Sequence, residues 1–477
     1  MTTPASRRAF LRATAGLAAA AAQPFGPRYA VPLAASLAGL GTLAAHQARA
    51  ANTGDGYKAL VCLFMHGGND SHNWVVPTDA TNYASYAAAR GELAVPQNRL
   101  LALTSSSQGA GRGFGMPLEL APLRDEYEAG RLAIVANIGT LVRPLTKAEY
   151  QAGNGAPAKL FSHNDQQAMW QSMQPEGGAA GWGGRFGDIL MSANQQPVFT
   201  AVSASGNAVF LSGSTVTQYQ VSANGPVLIS GAQPGWRAGS TTTPGALLNV
   251  LANGGSNDFT AEYARVVQRS LATANTLQTA FARTSVAALP AAAITLPNGS
   301  TLALNNDGLA KQLRVVAQMI AAAPSLGMRR QVFMVSIGGF DTHSNQSRDQ
   351  PLLMSRVAHS VQWFMQALQA QGLHDKVMLF SASDFGRTLA SNGDGCDHGW
   401  GSHHFVAGGA VRGREIHGRF PVTALGTADD VGSGRLLPST GVTQLAASLG
   451  GWMGLSTSEV AQVLPTTTSF NPLPLTL

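Results

Sequence analysis

Residues 331–343 read QVFMVSIGGFDTH, an apolar run that ends in two glycines, an aspartate and a histidine. The same order recurs in residues 376–388, KVMLFSASDFGRT, where the apolar run ends at Asp384. A third run, from Lys58 to His66, is followed by Gly67-Gly68-Asn69-Asp70-Ser71. Short apolar runs bounded by glycine predict buried strands. Because helical segments separate these strands, we expect an α/β protein with parallel pairing and right-handed crossovers.

The segments between the strands support this fold class. Pro351 opens a helix whose apolar residues form one buried stripe. The stripe consists of Leu353, Val357, Val361, Phe364 and Leu368. No charged residue or histidine occurs between Ile189 and Trp236. Short strand-like runs at 198–202 and 227–230 lie in this stretch, whereas 259–283 suits a helix. We therefore predict one domain over 51–477 that carries a β-rich insertion at about 189–305.

The first fifty residues predict an export signal. Ser6-Arg7-Arg8-Ala9-Phe10-Leu11-Arg12 resembles the twin-arginine motif, and Ala48-Arg49-Ala50 predicts cleavage before Ala51. No uninterrupted apolar run reaches the roughly 18–20 residues of a membrane-spanning helix. We expect the twin-arginine export machinery to deliver the mature chain, without a stable membrane span, to the periplasm or the medium. Cys62 and Cys396 are expected to stay unpaired, although an even count permits a disulfide.

Charge excludes nucleic acid as a partner. The formal net charge is +6, but five of the 31 basic residues lie in residues 1–50, which contain no acid. The remainder has 26 basic against 25 acidic residues and shows no basic patch.

Acidic and histidine side chains follow or precede the predicted strands. In an open α/β sheet, chemistry collects in loops at the carboxyl ends of parallel strands. The candidate metal ligands are Asp70, Asp341, His343, Asp384, Asp397 and His398, with His403 and His404 as weaker candidates. Carboxylate and imidazole groups suit a divalent cation such as Zn, Mn, Fe or Ca. Such a cation can polarise a phosphoryl or sulfuryl oxygen and activate a bound water.

Two residues are candidates for catalysis. Arg387 can clamp an anionic small-molecule or polymer substrate, or else form a salt bridge to Asp384 or serve at the surface. Ser71 can act as a nucleophile, or else cap a turn while a metal-bound water attacks. His163, in a polar segment at 161–167, can enter the site, but a hydrogen-bond motif that fixes the loop is the more expected role.

Several of these stretches together resemble the domain of unknown function 1501 family. The stretches are the twin-arginine leader, Leu63–Asp70, Ser162–Gln167, Gly181–Arg185, Gly339–His343, Asp384–Thr388 and Asp397–Gly399. The family is similar to the alkaline-phosphatase/sulfatase-like superfamily. That likeness implies a three-layer, mostly parallel sheet with helices on both faces and a metal centre at its carboxyl edge. Phe385 stands where the superfamily often has a histidine, and its usual nucleophile has no secure match.

Three functional hypotheses remain. The first is an exported metal-dependent hydrolase of phosphate or sulfate esters. The second is a non-catalytic periplasmic binding or assembly protein that retains a degenerate hydrolase fold. The third is a structural metal that only stabilises the loops.

Overall fold

The computed structural model describes residues 56–105, 107–227, 257–464 and 467–477. The strands are β1 (Lys58–Met65), β2 (Val76–Pro77), β3 (Leu100–Leu103), β4 (Phe114–Pro117), β5 (Leu132–Gly139), β6 (Ala201–Ser203), β7 (Tyr219–Ser222), β8 (Gly225–Pro226), β9 (Ile294–Thr295), β10 (Thr301–Leu302), β11 (Arg330–Ile337), β12 (Val377–Ser383), β13 (Ser402–Ala407), β14 (Ile416–His417) and β15 (Thr440–Gly441). The α-helices are α1 (Ala80–Arg90), α2 (Ala121–Glu128), α3 (Lys147–Gln151), α4 (His163–Ser172), α5 (Trp182–Leu190), α6 (Asp258–Ala282), α7 (Gly308–Ala321), α8 (Gln346–Ala370), α9 (Val442–Met453) and α10 (Thr457–Val463).

The three predicted strands lie side by side at the centre of the main sheet. β1 pairs in parallel with β11 on one side and with β12 on the other. The order across the sheet is β14-β5-β13-β12-β1-β11-β6-β7-β8, and β15 pairs with β5. β13 is antiparallel to both of its neighbours, and β8 is antiparallel to β7. The prediction of a mostly parallel sheet is confirmed.

Helices cover both faces of this sheet. Successive side chains of a strand point to opposite sides, and those of β1 and β12 are buried on both. Val61 and Leu63 of β1 share a buried core with Val316 of α7 and with the predicted stripe of α8. Phe380 of β12 instead packs against Trp182 of α5, with ring centroids 5.3 Å apart. The result is the three-layer arrangement that the family resemblance implied.

The range 189–305 differs in part from the expected β-rich insertion. β6 and β7 join the main sheet through β11, so they extend this sheet. The predicted strand at 198–202 begins as a 3-10 turn at Pro197–Phe199 and becomes β6 at Ala201. α6 is the predicted helix and the longest element among the described residues of the range. The predicted strand at 227–230 falls mostly outside the described residues.

The predicted export signal at 1–50 also lies outside the described residues. None of the helices in the described ranges combines the length and the apolar character of a membrane-spanning helix. Cys62 and Cys396 are both buried and unpaired, as predicted.

Candidate metal centre

The loops that follow β1, β11 and β12 meet at one edge of the sheet. Gly67 has φ +117°, and a Cβ there would lie 2.3 Å from the backbone nitrogen of Asp341. Only glycine permits this approach, since it tolerates positive φ and has no side chain. The Gly67 N–H also donates to Asp384 Oδ1 at 3.2 Å. The three loops therefore form one contiguous surface.

Asp341 lies at the centre of a cluster of imidazoles. Its Oδ1 is 3.1 Å from His343 Nε2 and 3.3 Å from His398 Nε2, and its Oδ2 is 3.5 Å from His163 Nε2. The Nε2 atoms of His343 and His398 are 2.9 Å apart. Four ligands at zinc–ligand distances in a tetrahedron lie about 3.3 Å from one another. The four separations in this cluster are close to that value.

The Nδ1 atoms of the three imidazoles, which we call the outer nitrogens, each lie near an oxygen acceptor. His163 Nδ1 donates to Asp384 Oδ2 at 2.7 Å, and His398 Nδ1 donates to the Phe161 carbonyl at 2.7 Å. His343 Nδ1 lies 3.4 Å from Asp397 Oδ1. A neutral imidazole whose Nδ1 carries the proton has its lone pair on Nε2, so these lone pairs face Asp341. Metal-binding histidines show this pattern, and lone pairs so close together require a proton or a cation between them.

Burial and neighbouring groups shift the pKa values of three residues in the cluster. Burial opposes ionisation of Asp341, but the hydrogen bond and charge of Arg387 outweigh it and lower the pKa of the carboxyl. Burial lowers the pKa of His398, while the hydrogen bond to Asp384 raises the pKa of His163. At neutral pH the centre thus contains an ionised carboxylate and a neutral His398 imidazole.

Phe385 packs where the superfamily likeness would place a histidine. Its ring is buried, and its centroid lies 4.9 Å from that of His163 and 4.6 Å from that of His398. Gly68 has φ +82°, and a Cβ there would lie 2.3 Å from this ring. Phe385 therefore supports two imidazoles by contact instead of supplying one.

Arg387 holds the loops together. It is fully buried, and its Nη1 donates to Asp341 Oδ1 at 2.7 Å and to the Gly67 carbonyl at 3.1 Å. Its Nε and Nη2 both donate to the Cys396 carbonyl. The salt bridge considered from the sequence exists, but its partner is Asp341 rather than Asp384. All three guanidinium nitrogens are engaged by protein acceptors.

Asp70 and Ser71 lie apart from the cluster. Asp70 is buried in an ion pair with Arg90, and it also accepts hydrogen bonds from Gln346 and from the His72 N–H. Ser71 begins a 3-10 turn, and its buried hydroxyl accepts from the His403 N–H at 2.8 Å. Asp70 caps this turn by accepting from the His72 N–H, whereas the Ser71 hydroxyl links the turn to β13.

The structure brings five of the predicted residues together. They are Asp341, His343, Asp384, Asp397 and His398. Asp384 and Asp397 face the outer nitrogens of the imidazoles, whereas the other three face inward. His163 joins the inner group, and a ligand atom of each of His163, Asp341 and His398 lies within 4.8 Å of the other two.

His163 is the residue to which sequence reasoning gave too little weight. It opens α4 after the N-cap residue Ser162, and Gln167 lies one helical turn further on. Gln167 Nε2 donates to Asp384 Oδ2 at 2.9 Å, beside the hydrogen bond from His163. Two polar residues at i and i+4 on one helix face were the available signal.

Comparisons with known proteins place these features in context. Among solved structures, the chain is similar to the PsFucS1 sulfatase from Pseudoalteromonas sp., with 8% identity, coverage of 91% of this chain and 73% of that one, and a TM-score of 0.35. It is also similar to the C-terminal periplasmic domain of EcEptC from Escherichia coli, with 10% identity, coverage of 88% of each chain and a TM-score of 0.32. No curated protein matches the chain. The model of the family described as "Protein of unknown function (DUF1501)" matches residues 57–450, and the chain therefore belongs to this family.

Proposed function

We propose that the chain binds one divalent transition metal through His163, Asp341, His343 and His398. The observation that carries the proposal is the convergence of three imidazole Nε2 atoms on one carboxylate. Two of these imidazoles have their Nδ1 fixed by an acceptor. Zinc suits this donor set, because the imidazole nitrogens outnumber the carboxylate oxygen. Manganese prefers oxygen donors, and Asp341 is the donor of that kind.

We further propose that the centre hydrolyses a phosphate or sulfate ester. A bound metal would supply a Lewis acid and lower the pKa of a coordinated water. Water is the proposed nucleophile, because the Ser71 hydroxyl is buried against the His403 N–H. The side chains of Asp341 and His343 are 46% and 45% exposed, which leaves one side open to a substrate. On the opposite side, Asp384 and the Phe161 carbonyl would keep the imidazoles oriented.

A non-catalytic binding protein is the second candidate. The observation in its favour is that the side chains of Arg387 and Ser71, the two that the sequence suggested for catalysis, are both buried in structural contacts. In that case the metal would order the loops for binding of a partner or polymer.

The location and partners proposed here rest on the leader. We propose twin-arginine export of the folded chain to the periplasm or medium, with an anionic small molecule or polymer as the substrate. Removal of residues 1–50 should then leave the chain in the cytoplasm, and Arg7→Lys with Arg8→Lys should do the same. Export that survives the double substitution would contradict the twin-arginine route.

Metal analysis of the purified mature chain tests the centre. After incubation with Zn or Mn and desalting, we expect about one ion per chain and turnover of an aryl phosphate or aryl sulfate. Asp341→Ala should lose both, whereas the control His359→Ala, on α8, should keep both. A chain that retains no metal contradicts the centre. A chain that binds metal without turnover supports the second candidate. An Asp341→Ala variant that differs only in a lower melting temperature supports a metal that merely stabilises the loops.

A further inference from the structure

Arg435 lies next to His398, one of the proposed metal ligands. Its Nε donates to the His398 carbonyl at 2.8 Å, and its Nη1 donates to the Gly432 carbonyl at 3.2 Å. Its guanidinium carbon is 5.1 Å from the centroid of the Phe161 ring. Phe161 is also the residue whose carbonyl accepts from His398 Nδ1. Arg435 therefore contacts the backbone of His398 and the ring of Phe161, the residue whose carbonyl orients the His398 imidazole.

Arg435 has no carboxylate hydrogen-bonded to its guanidinium within the described ranges, but Asp397 is near enough that its pKa is lowered by the hydrogen bond from Asn392 and also by the charge of Arg435. Both of its acceptors are neutral carbonyls, and no ion pair to it is formed by any carboxylate of the described ranges. Its Nη2 likewise donates to no described residue. The side chain is only partly buried, so solvent and solutes reach it. Arg387 differs in each respect, since it is fully buried and paired with Asp341.

The turn that carries Arg435 is held firmly in place. The buried carboxylate of Asp430 accepts from the N–H groups of Gly426, Gly432 and Gly434 at 2.7 to 2.8 Å. The Leu389 N–H donates to the Gly434 carbonyl at 3.1 Å, which joins this turn to the loop after β12. A guanidinium fixed by its surroundings loses little conformational entropy when it binds a ligand.

We infer that Arg435 recognises the oxyanion of the substrate. A guanidinium with an unengaged nitrogen can donate to non-bridging oxygens of a phosphoryl or sulfuryl group. This role is the one that the sequence suggested for Arg387. The inference rests on the proposed function, because it assigns the substrate class of the same centre: esters with at least one free anionic oxygen next to the bond that is cleaved.

Binding of inorganic phosphate and inorganic sulfate to the full mature chain tests the inference by calorimetry, with and without zinc. Arg435→Gln should weaken phosphate binding by about 10- to 100-fold, the range of a charge-assisted hydrogen bond. Arg435→Lys should retain part of the affinity because it retains the charge. The control Arg265→Gln removes the same charge from the exposed face of α6, so it should bind phosphate like the wild type.

The zinc affinity of Arg435→Gln separates recognition from a structural role. We expect it to equal that of the wild type. Unchanged phosphate affinity, or a parallel loss of zinc and phosphate affinity, would overturn the inference. A wild-type chain that retains no zinc, yet binds phosphate and loses that affinity in Arg435→Gln, would support the role of Arg435 while overturning the metal centre.

Discussion

Acid should destabilise this fold through buried histidines, and His404 allows the effect to be calculated. His404 lies within β13, and its Nδ1 is 3.0 Å from Ser381 Oγ. Its ring and that of Trp170 pack in a T-shaped arrangement with centroids 4.9 Å apart. Burial lowers its pKa from 6.5 to about 3. Above pH 6.5 His404 costs the fold no stability. Below pH 6.5 the free energy of unfolding falls, because the unfolded chain binds a proton at His404 that the folded chain does not bind. At pH 4.5 the loss is about 3 kcal/mol.

Urea unfolding at pH 7.5, 5.5 and 4.5 measures this effect. His404→Leu should reduce the slope of the unfolding free energy against pH by about 1.4 kcal/mol per unit between pH 6 and 4. Burial also lowers the pKa of His72, to about 4, so the variant should keep a residual slope. The control Val406→Ala lies in the same strand and should lose stability equally at every pH. Equal slopes for His404→Leu and the wild type would refute the reasoning.

Two further predictions concern the metal centre. Because the hydrogen bond to Asp384 raises the pKa of His163, zinc affinity should decline as pH falls through that raised pKa. Asp384→Asn should weaken zinc binding by about 10- to 100-fold. Chelator competition measures both, and unchanged affinity in the variant would remove Asp384 from the orienting role. Gly68→Ala should lower the unfolding free energy by about 1–3 kcal/mol, because the new methyl group meets the Phe385 ring. Gly130→Ala, at φ +77° with no atom within 4 Å, is its control in urea unfolding, and equal losses in the two variants would show that the ring contact is unimportant.

The strands and the edge that they share could be predicted from the sequence. Apolar runs of seven or eight residues that end in glycine and aspartate are strong local signals, and parallel pairing follows from the helices between them. Asp341, His343 and His398 reach one place because the ends of neighbouring strands lie about 5 Å apart. Local pattern and elementary sheet geometry were sufficient for these residues.

Other residues depend on contacts that no local pattern contains. Asp70 occupies the expected position after β1, yet Arg90 on α1 takes its carboxylate into a buried ion pair. His163 is 221 residues from Asp384 in sequence, and only the packing of α4 brings them together. Arg435 stands in a glycine-rich turn with no periodicity. Spacing along the chain cannot predict which of several buried charged side chains will pair with each other.

β1 and β5 each pair with strands that lie much later in the sequence, and this affects folding during synthesis. Among the described residues, β1 has its sheet partners at 330–337 and 377–383, and β5 has its partners beyond residue 401. A ribosome-bound chain therefore exposes two apolar strands with open edges until most of it has been synthesised. Such edges promote aggregation, and pairing across so many residues is slow. We expect the nascent chain to require chaperones, and truncations that remove β13 to be insoluble.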